Sequence, residues 1–131
     1  MDENTTFKEV INVFESSFQD KCIIPLDLEI VWLKKAIAAY SVEVRPLEYD
    51  PDFNEFETQL DPYIVATLAS LMKVYYQERE VSKINKRISI VGKDISYDGS
   101  GQTKKYASEE LSYVDRVSYE MIDNQRPPAY N

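Results

Sequence analysis

The 131 residues contain no histidine, one cysteine and three glycines. The absence of histidine removes the commonest general base and the commonest metal ligand. With Cys22 alone there is no zinc-binding constellation, no internal disulfide, and no Ser-His or Cys-His nucleophile pair. Cys22 itself reads as a small, partly buried apolar residue beside Ile23 and Ile24. Long apolar runs are missing too: the best, Ile64 to Met72, is broken by Thr67 and Ser70 and falls far short of a bilayer span. The opening residues are acidic and polar, unlike a signal peptide or basic targeting segment, so the chain is expected to stay where it is made.

What is present is a globular composition, 44% hydrophobic and 29% charged, with a net charge of -8. That length and composition predict a single domain with a modest core. The acidic balance argues against a surface that grips nucleic acid by neutralising phosphates. It favours solubility and self-repulsion until a partner is met.

Helical periodicity dominates. Thr6 and Glu9 have capping-box spacing, and Phe7, Val10, Ile11, Phe14 and Phe18 follow at helical intervals, predicting a helix over about 7–18. Pro25 and Asp27 open a second helix with an apolar seam of Leu26, Ile30, Leu33, Ile37, Tyr40 and Val44, widened by Trp32, Ala36 and Ala39 and ended by Pro46. Residues 46–61 read as an acidic loop with anchoring aromatics. Asp61-Pro62 starts a third helix, predicted to run to about 85, with Ile64, Leu68, Leu71 and Tyr75 inward.

Ile88 and Ile90, then Ile95 and Tyr97, alternate with polar residues on either side of Gly92-Lys93, as in a short β-hairpin. All three glycines, Gly92, Gly99 and Gly101, fall in this one segment. A fourth helix is predicted from about 104 to 125, with Ala107, Leu111, Val114, Ser118, Met121 and Ile122 inward, packing partly on the domain and partly on something else. Two prolines keep the tail 126–131 from being helical. The expected fold is therefore mainly α: a four-helix, bundle-like single domain with a β-hairpin or extended, flexible loop at about 88–105 between helices 3 and 4.

No motif carries catalytic chemistry. Val91-Gly92-Lys93-Asp94 lacks the upstream glycine and following Ser or Thr of a phosphate loop, and Asp94 to Gly101 lacks the ligand pattern of a calcium loop. The acids read as solvated helix faces or loop residues. The expectation is a non-enzyme without cofactor or metal; an enzyme working through carboxylates alone is the remote alternative.

Charge is instead segregated. Seven acids (Glu43, Glu48, Asp50, Asp52, Glu55, Glu57, Asp61) stand against Arg45 alone between 43 and 61. Six bases (Lys83, Lys86, Arg87, Lys93, Lys104, Lys105) stand against Asp94 and Asp98 between 83 and 105. These are either two solvated loops or the halves of a head-to-tail contact between copies. The ten tyrosines add to this, because tyrosine is enriched at protein interfaces. Tyr40, Tyr63 and Tyr75 are expected at the edge of the helical core. Tyr97, Tyr106, Tyr113, Tyr119 and Tyr130 are expected to include interfacial residues. The candidate interface is Lys86, Arg87, Gly92, Lys93, Tyr97, Gly99, Gly101, Lys104, Lys105, Tyr106 and Tyr113, facing an acidic counter-surface of Glu48, Asp50, Asp52, Glu55 and Glu57.

The ordering of these elements resembles the small head–tail connector (neck, or head-completion) proteins of tailed bacteriophages and prophages. The residues concerned are Val31-Trp32-Leu33, Ala36-Ile37 and Tyr40 in the second helix, the Asp61-Pro62 start of the third, the stretch Asn85 to Ile95, and the ending Pro128-Ala129-Tyr130-Asn131. That resemblance implies a ring of about a dozen subunits under the portal, extending the DNA channel and offering a docking surface for the tail. Its implied partners are further copies of itself, the portal protein, and a tail-side neck or tail terminator protein. DNA would pass through without specific binding and no membrane would be involved. The implied location is the virion neck, after assembly in the host cytoplasm. A small non-viral helical adaptor, binding a protein partner through its last helix and loop, is the alternative reading.

Overall fold

A computed structural model describes residues 4–17, 24–91 and 97–126, with the backbone alone at 87–91 and 97–103. The chain is 75% helical. Its elements run α1 (Phe7–Ser16), α2 (Leu26–Glu43), β1 (Tyr49–Asp50), β2 (Glu55–Phe56), α3 (Pro62–Val91) and α4 (Tyr97–Gln125). The expected mainly α, four-helix architecture is what the chain adopts.

Local chemistry sets the helix starts. Thr6 is the N-cap of α1, and its Oγ1 accepts the Glu9 amide at 3.3 Å. Asp61 does the same for α3, its Oδ1 accepting the Tyr63 amide at 2.8 Å, with Pro62 at the first helical position where no amide is needed.

α3 is the axis of the molecule. The Leu60 amide donates to Thr5 Oγ1 at 2.8 Å, and one end of α1 further on Phe14 meets Tyr76, so α1 runs in the direction of α3. Trp32 meets Tyr76 and the Tyr40 end of α2 lies by Ile64, so α2 runs antiparallel. Phe14, Trp32 and Tyr76 pack edge to face, with ring centres 6.2–6.3 Å apart, in the arrangement that aromatic quadrupoles favour. Val10, Phe14, Leu33, Ala36, Leu68 and Met72 around them are fully buried.

α4 lies on the other side. Thr67, which bonds to α4, and Tyr76, which meets α1, are two and a half turns apart on α3 and so point oppositely. α1 and α2 thus lie on one side of α3 and α4 on another, with α2 and α4 meeting directly at Tyr40 and Gln125.

Three expectations are corrected. The β-hairpin lies between α2 and α3, not between α3 and α4: Tyr49 pairs with Phe56 and Asp50 with Glu55. α3 continues through Ile88 and Ile90 to Val91, and α4 already begins at Tyr97, so most of the expected loop at 88–105 is helix. Val81, Ile84, Ile88 and Val91 also stand at steps of three and four, and this longer period prevails over the brief alternation of Ile88 and Ile90. Gly99 and Gly101 sit in the first turns of α4, where their cost, about 1 kcal/mol each, is outweighed by the long helix that follows. Gly92, Lys93, Asp94, Ile95, Cys22, Phe18 and the tail beyond Arg126 lie outside the described residues. The third correction is Leu26, placed on the inner seam of α2 but 58% exposed. The buried arc of α2 is Glu29, Trp32, Leu33, Ala36, Ile37 and Tyr40, whereas Leu26 lines a solvent-open concavity beside Phe7 and Ile11 of α1.

Candidate assembly interface

α4 is tied to α3 by a row of polar contacts beside the buried Val114 and Ile122. Ser118 donates to Val114 O at 2.8 Å, so across the 2.6 Å contact between the two hydroxyls Ser70 donates to Ser118. Gln77 Nε2 donates to Ala107 O at 3.1 Å. At the other end Gln125 joins three helices: Tyr40 donates to its Oε1 at 2.7 Å, and its Nε2 donates to Thr67 Oγ1 at 2.7 Å and Met121 O at 3.0 Å. Thr67 passes its proton on to Tyr63 O at 2.7 Å. Burial pushes the Tyr40 phenol above its ordinary pKa; Arg45 beside it pulls the other way without cancelling that effect. Arg126 closes the end with ion pairs to Glu43 and, at 2.7 Å, Asp123.

With its inner face so occupied, α4 turns a broad outer face to solvent. Tyr106, Tyr113 and Tyr119 are at least half exposed there, with Lys104 and Lys105 beside them. Lys105, Ser108, Glu109, Ser112, Tyr113 and Arg116 surround a shallow depression of about 470 Å³ on this face. The Arg116 guanidinium lies 5.5 Å from the centre of the Tyr113 ring.

Lys86 is exposed near the far end of α3; Arg87 is in the same helix, and Tyr97, Gly99 and Gly101 are in the opening turns of α4. Of the early tyrosines, Tyr40 is fully buried with its hydroxyl bonded, Tyr75 is half-buried under Lys35, and Tyr63 is 42% exposed.

The acidic counter-surface is the β1–β2 hairpin. Glu48, Asp52 and Glu57 are exposed, and Asp50 and Glu55 are half-buried. It is fastened to the start of α1: Phe7 N donates to Asn54 O at 2.9 Å, and the Phe7 ring packs at 5.3 Å on both Tyr49 and Phe56. From Asp61, at the hairpin end of α3, to the basic Lys86 is about 37 Å at 1.5 Å per residue. The acidic hairpin and the exposed Lys86 are therefore at different ends of α3, and the structure does not bring them together within one copy.

Sequence reasoning missed the Gln125 network and the exposure of Phe53. Tyr49 and Phe56 anchor the acidic segment as expected, but Phe53 at its tip is 76% exposed. Its position between Asp52 and Asn54, in a turn opened by Pro51, is the only local sign of that. Among the described residues, no three His, Cys, Asp or Glu side chains converge as a metal site, and no helix is long and apolar enough to cross a membrane. No family model, curated protein or solved structure matches this chain.

Proposed function

We propose that this chain is a structural subunit of a tailed-phage head–tail connector, acting in the virion neck as a homo-oligomeric ring under the portal and not as an enzyme. One observation carries the reading: the acidic β1–β2 hairpin stands at one end of α3, and the exposed bases Lys86, Lys104 and Lys105 stand toward the other, on α3 and on the antiparallel α4. A patch and its complement on different faces make a head-to-tail contact, and such contacts close into rings when the rotation permits. The long α3–α4 pair supplies a stiff spacer, and the exposed tyrosines supply apolar area with polar tips. The portal, a tail-side neck or terminator protein, and DNA passing without specific contact complete the proposed setting. Purified portal rings mixed with the chain test it by native mass spectrometry. The reading expects a complex holding about a dozen copies, the count the resemblance implies. Portal rings that remain bare, or a chain encoded far from portal and tail genes, favour the adaptor alternative.

A further inference from the structure

We propose that the tip of the β1–β2 hairpin is the plug of a self-contact, with Phe53 of one copy seated in the depression on the outer face of α4 of the next. This rests on the self-assembly part of the preceding reading and identifies the residues that meet.

Phe53 is a large apolar side chain left 76% exposed at the end of a tight turn. The turn is held rigidly. Asp52 N donates to Asp50 Oδ1 at 2.9 Å, and Asn54 adopts a positive φ of 50°, which directs its carbonyl to the Phe7 amide. Asparagine tolerates that conformation better than other non-glycine residues. A knob fixed in advance loses little freedom on docking. The apolar surface also continues past Phe53 into a concavity lined by Ile11, Leu26 and Ile30.

The depression on α4 matches this knob in chemistry. Tyr113 offers a ring face, Ser108 and Ser112 leave space, and Lys105 and Arg116 provide cations for Asp50 and Asp52 beside Phe53. Glu109 is the single acid on that rim, against two bases. Within one copy the hairpin is fastened to the start of α1, whereas the depression lies on the solvent face of α4, away from α3. The contact is therefore heterologous, and every copy keeps one free knob and one free depression.

The test uses the full chain in two charge-reversed variants, Asp52→Arg and Arg116→Asp, both at exposed positions. In each variant alone, positions 52 and 116 carry like charges, and sedimentation velocity at low salt is expected to give monomers at concentrations where the wild type associates. Mixed in equal amounts, each knob finds an oppositely charged depression, and association is expected to return. Phe53→Ala is expected to weaken wild-type association by about tenfold or more. A mixture that stays monomeric, or a wild type that is monomeric up to about 1 mM, overturns the contact. These outcomes do not decide the neck reading: portal-bound rings of a chain that fails the mixing test would be built through other surfaces.

Discussion

The hydroxyl of Tyr40 and the side-chain amide of Gln125, from α2 and α4, meet at 2.7 Å although they are 85 residues apart in sequence. This bond and its continuation to Thr67 help to fix the end of α4 in register on the scaffold. Register matters here because it sets the height at which the outer face of α4 stands relative to the acidic hairpin.

Gln125→Leu removes the bridge and leaves the Tyr40 and Thr67 hydroxyls without their side-chain partner. The expected cost is about 1–3 kcal/mol in urea denaturation. Tyr40→Phe removes only the donor and should cost less, about 0.5–1.5 kcal/mol. Equal stability of the Gln125→Leu variant and the wild type would show that the network does not hold α4.

Leu33 and Leu68 are fully buried in the one core cluster, so either Leu→Ala substitution should lose about 2–5 kcal/mol. Leu26→Ala should change stability by less than about 0.5 kcal/mol, since Leu26 is exposed. A large loss at Leu26 and a small one at Leu33 would place the buried face of α2 wrongly.

The two helix caps are separable. Thr6→Ala and Asp61→Ala each remove a side-chain acceptor from a helix start, and each should cost about 0.5–2 kcal/mol in thermal or chemical denaturation. The effects should add, because the caps serve different helices.

Alkaline pH gives a further check. Burial raises the phenol pKa of Tyr40 and, together with Glu78 and Tyr119 nearby, that of Tyr75 above the usual 10.0. Each group holds its proton more firmly when folded, so its contribution is fully present below about pH 10 and is lost as pH rises through the folded pKa. Urea midpoints should fall steeply above pH 10, and the double variant Tyr40→Phe, Tyr75→Phe should flatten that fall. An unchanged slope would assign alkaline unfolding to other groups.

Local signals in the sequence were reliable wherever the physics is local. Thr6-Glu9, Pro25 and Asp61-Pro62 mark three helix starts, and the inward set of α3 follows from spacing. The acidic hairpin was not legible, because strands of two residues each have no detectable period and are held by α1 as well as by their own pairing. The clustering of glycines was over-read: Gly99 and Gly101 are accommodated in a helix whose other turns favour that state. Of the candidate interface, Lys104, Lys105, Tyr106 and Tyr113 were found from composition alone and are exposed together on α4. Arg116 and Phe53 emerge only from tertiary placement, since one lies in an unremarkable helix and the other among acids.

The proposed role as a subunit of a neck ring is tested most directly by cryo-electron microscopy of purified particles. The expected result is a closed ring of this chain between portal and tail, with the β1–β2 hairpin of each copy against α4 of its neighbour. Particles whose neck contains no density for this chain would contradict it.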